Sequence, residues 1–231
     1  MERRGRFVRV DPADAPTEDD IVVLTSPAPH RSRATLDALR AGKRLTVVAS
    51  APVFEWLAKE GAVGGAFPQT IDGLTIDGLP YTPPKQARPL AHFLRASIAG
   101  ARPGAALRRM ADTSPTADPC AVQITFEDGS RLVHLDLALH GETDAAWLDR
   151  AAARFGGAEW LLVGFAWGEG DAVVDHVARF RARRVLVTEL VNAERREMGL
   201  PTELVTPVRD RLVAAGVEAH VFATQASFRF E

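Results

Sequence analysis

The fold is decided by the stretch Asp19-Asp20-Ile21-Val22-Val23-Leu24-Thr25-Ser26-Pro27-Ala28-Pro29-His30-Arg31-Ser32. Its wholly apolar run, residues 21–24, is typical of a strand buried on both faces, and the proline-rich segment after it is typical of a turn. A helical pattern then runs from Ser32, a favourable N-cap, to Gly42, a favourable stop. Because α/β proteins commonly place binding sites where a buried strand opens into a loop before a helix, this loop is the first candidate for function.

The composition is that of an ordinary soluble globular protein. The chain has 231 residues, of which 46% are hydrophobic and 25% are charged, and its net charge is -2, so there is no global electrostatic case for binding nucleic acid. The single cysteine, Cys120, excludes an intrachain disulfide and a cysteine-cluster metal site. No apolar run approaches the roughly 20 residues of a membrane span, and no apolar stretch follows the basic N-terminus. We therefore expect a cytoplasmic protein.

Strand and helix patterns alternate outward from the opening stretch. A short strand is predicted at 7–10, before Asp11-Pro12, and another at 45–49, followed by a helix that Ser50 caps. Residues 63–84 are predicted to form short antiparallel strands, and the Asp128-Gly129 turn predicts a hairpin. The later pattern predicts, in order, a helix capped by Thr143 and ending at Phe155, a strand at 160–165, a helix at 169–181, a strand at 185–188, a helix at 205–215, and strands at 217–222 and 227–230.

This order of elements resembles the metallo-β-lactamase fold. The stretches that carry the likeness are Val10-Asp11-Pro12, residues 20–25, 45–57, 131–137 and 184–189, and Gly216-Val217-Glu218-Ala219-His220-Val221. The resemblance implies an α/β (α+β) protein built as a four-layer αββα sandwich. It also implies a single domain covering residues 1–231, in which we interpret 85–119 as an insertion over one face.

The family's metal motif reads T-H-x-H-x-D-H, and this chain departs from it. The motif's ligands fall, in order, on Ser26, Ala28, His30 and Arg31; a further histidine falls near Lys85 or Gln86, the bridging aspartate is matched by Asp136, and the final histidine falls on Glu189. A two-zinc site needs several neutral imidazoles and carboxylates at about 2 Å from each ion. Arg31 would instead place a fixed positive charge there, so the resemblance predicts a degenerate member without the usual binuclear site.

Six residues form the candidate pocket that the resemblance implies: Ser26, His30, Arg31, His134, Asp136 and Glu189. In one interpretation His30, Asp136 and Glu189, with His134 as an optional fourth ligand, hold one divalent ion (zinc, manganese or iron) with an open position for water. In the other, which we favour, Arg31 pairs with Asp136 and Glu189 and replaces the charge of the cation. The spacing of His134 and Asp136 predicts that both lie on one sheet face.

Two functions follow from these interpretations. The favoured one is a non-catalytic binding or interaction protein whose pocket is roofed by residues 85–119. The alternative is a mononuclear metal-dependent hydrolase of an ester, amide or phosphoester, so whether the chain is an enzyme stays open. The expected partner is a small molecule or a protein, without nucleic acid or membrane, and an oligomer is compatible with the sequence.

Three other motifs have ordinary structural interpretations. His140-Gly141-Glu142-Thr143 is predicted to be a loop and a helix cap rather than the source of a catalytic base. Trp167-Gly168-Glu169-Gly170-Asp171 is predicted to be an acid-rich helix start rather than an anion site. Cys120 is predicted to be a buried structural thiol.

Overall fold

A computed structural model of the chain describes residues 7–12, 14–26, 29–82, 115, 117–136, 138–139, 143–165, 168–189, 192 and 202–222, without the side chains of 29, 30 and 136. The described residues form two compact units. The first contains those up to Thr82 and those from 115 to Asp128, and the second contains those from Gly129 onward. Both units combine helices with β-strands, which confirms the predicted mixed α/β class.

The first unit begins with a parallel sheet. Its described elements are, in chain order, β1 (Val8–Val10), β2 (Ile21–Val23), α1 (Pro29–Arg40), β3 (Thr46–Ala49), α2 (Ala51–Ala58), β4 (Val63–Ala66), β5 (Gln69–Ile71), β6 (Leu74–Pro80) and β7 (Cys120–Thr125). The sheet order is β1-β2-β3-β4, with every neighbouring pair parallel. Strands β2, β3 and β4 are joined by α1 and α2, as the alternating pattern predicts, whereas no described residue between β1 and β2 is helical.

Strand β2 is an inner strand of this sheet, which explains its apolar sequence. Ile21 pairs with Thr46 of β3, and Val22 pairs with Arg9 of β1. All three residues of β2 are fully buried, as expected for a parallel strand covered on both faces. The strand is held at its start by Asp20, whose carboxylate accepts from the Thr17 amide at 2.7 Å.

Of the two helices of the first unit, α1 differs from prediction at its start and α2 begins after Ser50 as predicted. Helix α1 begins at Pro29 rather than after Ser32, because proline fits the first turn, where its missing N–H is not needed. It ends near Gly42 as predicted, with that glycine at φ 85°. Ser50 does occupy the N-cap of α2, but its side chain makes no capping hydrogen bond.

The glycine-rich segment at 63–84 is predicted to form short antiparallel strands, and this is wrong for β4. Strand β4 pairs parallel with β3, and only β5, β6 and β7 pair antiparallel. At Gly64 a Cβ atom would lie 2.2 Å from the Val47 carbonyl oxygen, and φ is +119°. Glycine is needed here because β4 approaches β3 too closely for any side chain.

The second unit contains a second parallel arrangement. Its described elements are β8 (Arg131–Asp136), α3 (Ala145–Phe155), β9 (Trp160–Val163), α4 (Gly170–Val177) continued by a 3-10 turn (Ala178–Phe180), β10 (Arg184–Thr188), α5 (Val205–Ala214) and β11 (Glu218–Phe222). The pairs β8–β9, β9–β10 and β10–β11 are all parallel. Each connection contains a helix, as a parallel crossover requires.

Caps and apolar stripes explain the helices of this unit. Asp144, not the predicted Thr143, caps α3: its carboxylate accepts from the amides of Ala146 and Trp147, each at 3.2 Å. Thr143 instead donates its hydroxyl to the Ala138 carbonyl at 2.8 Å. Leu148 and Phe155, seven positions apart on one face of α3, are buried.

Some predicted features lie outside the described residues. These are most of the insertion at 85–119, the His140 loop, Trp167 and the strand at 227–230. Within the described ranges, no helix has the length and apolar character needed to cross a bilayer.

Candidate functional site

A buried charged cluster lies where β1 and β2 end and α1 begins. We call Asp11, Thr25 and Arg31 the Asp11 cluster. Among the contacts of the described residues, the Asp11 carboxylate accepts hydrogen bonds from the Thr25 amide at 2.9 Å, from the Thr25 hydroxyl, and from Arg31 Nη1 at 3.2 Å. The side chains of Asp11 and Arg31 are 0% and 4% exposed. Because the desolvation of a buried carboxylate must be offset by an opposite charge and by hydrogen bonds, these contacts stabilise the cluster.

The backbone positions the Asp11 carboxylate over the end of β2. Asp11 has φ 44°, a left-handed conformation that aspartate tolerates better than most residues. Its amide donates to the Val23 carbonyl at 2.9 Å, which extends the pairing of β1 with β2 by one bond. The turn at Asp11-Pro12 therefore directs a carboxylate toward Thr25, which lies two residues beyond the end of β2.

Thr25 connects the cluster to the antiparallel part of the same unit. Its amide and hydroxyl both bind Asp11, and its carbonyl oxygen accepts from the Cys120 amide at 2.6 Å. Three of its polar groups are thus satisfied inside the unit, and Thr25 is 2% exposed. Any movement of this threonine would break contacts to the start of β7 as well as to Asp11.

Arg31 lies in the first turn of α1, where a positive charge is disfavoured by the helix dipole. No acidic residue of that turn compensates it. Its contact with Asp11, twenty positions earlier in the chain, supplies the opposite charge instead. Arg31 Nη1 also lies 3.4 Å from the Thr25 hydroxyl oxygen. The position that the resemblance assigns to a metal-ligating histidine thus holds a buried, charge-paired guanidinium.

The remaining candidates of the opening stretch lie beside this cluster in sequence. Ser26 follows Thr25 and is 9% exposed. His30 is the second residue of α1, and its side chain lies outside the described residues, as does all of Ala28. Ser32 is buried, in the same first turn as Arg31. The structure therefore brings Ser26 and Arg31 to one buried polar region of the first unit.

His134, Asp136 and Glu189 belong to the second unit. Asp136 is the last residue of β8, level with Val163 of β9, which is level with Val187 of β10. Glu189 follows β10 by one position and is half-buried. The two carboxylate residues therefore lie at the same edge of these strands, two strand spacings apart, or roughly 10 Å between backbones.

The prediction that His134 and Asp136 share a sheet face because they are two residues apart stays a prediction, since the side chain of Asp136 lies outside the described residues. The register of β8 against β9 shifts between them, because His134 opposes Leu162 while Asp136 opposes Val163. An extra residue in one strand breaks the alternation of side chains. His134 itself is 2% exposed.

A metal site is not visible among the side chains that the structure describes. Within them, no three histidine, cysteine, aspartate or glutamate residues are grouped so as to hold a metal ion. The side chains of His30 and Asp136 fall outside that set. The residues present at the motif position, a serine and a paired arginine, do not fit the donor set of a binuclear zinc centre.

Two further candidates have structural roles. Cys120 is 3% exposed, and burial, assisted by the nearby Asp118 charge, raises the pKa of its thiol to about 11. It is therefore the inert buried thiol that the sequence predicts. At the start of α4 the Gly168 amide donates to the Glu203 carboxylate at 2.7 Å, so an internal carboxylate already binds the donor that an anion would need.

The sequence pattern predicts a turn at Asp11 and a strand at Thr25. It does not predict that either residue belongs to the site. The available signal was an aspartate before proline at a strand end, since such a residue often turns its carboxylate back onto backbone amides. The sequence does not predict Arg31 as the partner of the Asp11 carboxylate, because no local pattern relates positions 11 and 31.

Comparison with protein-family models gave no match to this chain, and a search of the curated proteins gave none.

Proposed function

We propose that the chain is a degenerate metallo-β-lactamase-like protein, with the four-layer αββα architecture of that family, which has lost the binuclear zinc site and acts by binding a small molecule or another protein. Two observations support the resemblance to this family. Each unit contains parallel strands with intervening helices, and Asp11-Pro12 and Thr25 follow the ends of β1 and β2. The sequence alone predicts the residues of its candidate pocket, which are Ser26, His30, Arg31, His134, Asp136 and Glu189.

The observation that carries this proposal is the buried pair of Arg31 with Asp11. Arginine does not deprotonate in proteins, so a buried guanidinium repels a divalent cation at close range. The same pair already neutralises the carboxylate, which removes the electrostatic need for an ion. The Asp11 cluster thus supplies internally the charge balance that a metal gives in a catalytic member of such a fold.

Metal analysis of the full chain, purified without chelator, tests the loss of the zinc site. We expect zinc, manganese and iron at background in the wild type and in His220→Ala, a control that removes an exposed histidine outside the candidate pocket. Stoichiometric metal that is retained in His220→Ala and lost in Asp136→Ala would overturn the proposal in favour of a mononuclear hydrolase using His30, Asp136 and Glu189.

A thermal-shift screen with metabolites tests the binding role. A ligand of the pocket raises the melting temperature in proportion to the logarithm of its concentration above Kd. We expect the shift to be lost in a Ser26→Trp variant, which fills the candidate pocket, and to be kept in His220→Ala. Turnover of ester, amide or phosphoester substrates by chelator-treated protein would contradict a purely binding role.

A further inference from the structure

An open, basic pocket of about 340 Å³ lies in the second unit, at the amino-terminal ends of its strands. Its walls come from three segments: the turn before β8, the loop between α3 and β9, and the loop between the 3-10 turn and β10. Asp136 and Glu189 lie at the opposite ends of the strands. The pocket is therefore separate from Asp136 and Glu189, the two carboxylate residues of the candidate site in this unit, and does not depend on the proposed function.

We call this cavity the arginine pocket, because Arg131, Arg181 and Arg183 line it with a single carboxylate, Glu159. Three guanidinium groups against one carboxylate leave a charge of plus two. The chain as a whole carries -2, so this charge is a local concentration rather than a general property of the surface.

The backbone around the arginine pocket is held by hydrogen bonds between its own segments. The Gly157 amide donates to the Phe180 carbonyl at 2.7 Å, and the Arg183 amide donates to the Ala158 carbonyl at 3.1 Å. Arg131 Nη2 donates to the carbonyls of Gly156 and Gly157, at 3.2 and 2.8 Å. The walls are therefore fixed before any ligand arrives, which lowers the entropic cost of binding.

Arg181 contributes a charge that no described carboxylate neutralises, and Arg183 contributes a charge that only a shared carboxylate, Glu159, offsets. Arg183 is 68% exposed, and its Nη1 lies 3.6 Å from Glu159 Oε1, beyond hydrogen-bond distance. Glu159 is also paired with Arg184 at 3.3 Å. No carboxylate of the described residues lies within ion-pair distance of Arg181.

The backbone conformation of Arg181 is a second sign that its side chain matters. Its φ is 48° and its ψ is 34°, in the left-handed region where glycine is favoured and an arginine is disfavoured. Arg181 ends the 3-10 turn, a position that glycine commonly fills. The backbone conformation disfavours an arginine at this position. We therefore attribute its presence to the guanidinium that it places at the pocket.

We propose that the arginine pocket binds the phosphate group of a small soluble phosphate monoester, with Arg181 and Arg183 as the contacting residues. A phosphate monoester carries close to two negative charges at neutral pH and several acceptor oxygens, which matches both the pocket's charge and the fork of a guanidinium. The volume, about 340 Å³, accommodates a small phosphorylated molecule.

Calorimetric titration of the full chain with glycerol 3-phosphate, at fixed ionic strength, tests this proposal. We expect saturable binding by the wild type that is weakened at least about tenfold in Arg181→Gly and in Arg183→Gln, since each removes charge-assisted hydrogen bonds. Arg181→Gly should melt at or above the wild-type temperature, because glycine accepts the left-handed conformation. A loss of binding in this variant therefore reports the side chain and not the fold.

Arg44→Gln is the matched control, since it removes one exposed arginine from the first unit. It should bind glycerol 3-phosphate as the wild type does. Equal affinity in Arg181→Gly, Arg183→Gln and the wild type would overturn the proposal, as would absence of saturable heat. Binding confined to vesicles of phosphatidic acid in phosphatidylcholine, with none to the soluble ester, would also overturn it and identify a lipid headgroup as the source.

Discussion

The Asp11 cluster and the ion pairs of Arg184 are built from the same chemical groups in opposite surroundings. Arg31 is 4% exposed and its partner Asp11 is fully buried, whereas Arg184 pairs at 2.9 Å with Glu218, which is 49% exposed. The shorter distance belongs to the exposed pair. Because water and salt weaken exposed charges, and a broken buried pair leaves a charge without solvent, burial rather than distance decides which pair matters for stability.

The largest effect is expected for Arg31→Met. This substitution leaves the Asp11 carboxylate buried without its cation, which typically costs about 3–5 kcal/mol in the free energy of unfolding. Urea denaturation at low and high salt measures it, and the loss should change little with salt, because buried pairs are poorly screened. If the variant does not fold, Arg31→Lys, which keeps the charge but not the fork, should give a smaller and measurable loss.

Arg33→Met is the control for that experiment. Arg33 lies two positions further along α1 and pairs with Asp37 at 3.4 Å, with both side chains more than half exposed. Its loss should be small, as is usual for an exposed pair one helical turn apart. A result in which Arg31→Met and Arg33→Met cost the same would show that the Asp11 cluster does not behave as a buried pair.

A smaller loss is expected for Thr25→Val, which keeps the shape but removes the hydroxyl that donates to Asp11. A hydrogen bond to a charged group contributes roughly 1.5–3 kcal/mol, so the free energy of unfolding should fall by about 2 kcal/mol. Thr70→Val, which loses only an exposed contact with Thr75 at 3.3 Å, is the control and should be close to neutral.

The double variant Thr25→Val/Arg31→Met tests whether Thr25 and Arg31 stabilise the Asp11 carboxylate together or independently. Both substitutions act on one carboxylate, so their costs should depart from additivity by an amount on the order of 1 kcal/mol. Strict additivity would mean that Thr25 and Arg31 stabilise the unit independently, and that the three residues are not one cluster.

The reactivity of the Cys120 thiol tests whether the region around Thr25 is buried, because the Cys120 amide donates to the Thr25 carbonyl. Burial raises the pKa of the thiol from 9.0 to about 11. Iodoacetamide should therefore label the native protein at pH 8 far more slowly than the urea-unfolded protein, since the thiolate is the nucleophile. Labelling of both states at one rate would contradict a buried thiol.

The same shift predicts a dependence of stability on pH. Well below pH 9 the thiol is protonated in both the folded and the unfolded state, so it does not make the free energy of unfolding depend on pH. As pH rises from about 9 toward 11, the unfolded state releases its proton first, so the free energy of unfolding falls. The difference between the wild type and Cys120→Ala isolates this contribution from the lysines that titrate in the same range.

How far the sequence predicts this molecule depends on the range of the interactions involved. The buried run at 21–24 and the stop at Gly42 were predicted because they depend on neighbouring residues. The predicted start of α1, after Ser32, is too late, because a proline in the first turn has the same sequence signature as a proline that ends a helix. The parallel pairing of β4 was missed because glycine-rich segments carry little register information.

The site was less predictable than the fold for the same reason. The resemblance identified Ser26 and Arg31 as altered positions, and both are buried in the structure. The ion pair of Arg31 with Asp11 joins residues twenty positions apart, and no periodicity encodes such a contact. The register shift after His134 is likewise invisible in an alternating apolar pattern. The predicted pairing of Arg31 with Asp136 and Glu189 remains a prediction.

The smallest effect is expected for Glu218→Gln in the exposed network. The hydrogen bond from His220, followed by those from Arg184, lowers the pKa of the Glu218 carboxyl below its usual 4.5. A lowered pKa contributes stability that is present above the unfolded value and is lost as pH falls through the folded one. The melting temperatures of wild type and Glu218→Gln should therefore differ slightly near neutral pH and converge in acid.

The salt dependence tests whether the difference in melting temperature between wild type and Glu218→Gln arises from ion pairing. At about 1 M salt the screening length falls to roughly 3 Å, so the difference between wild type and Glu218→Gln should disappear. Glu60→Gln should behave alike, because Arg40 lowers the pKa of the exposed Glu60 carboxyl in the same way. A loss in Glu218→Gln that survives both acid and salt would show that this pair is protected from solvent, and the contrast with the Asp11 cluster would then rest on something other than burial.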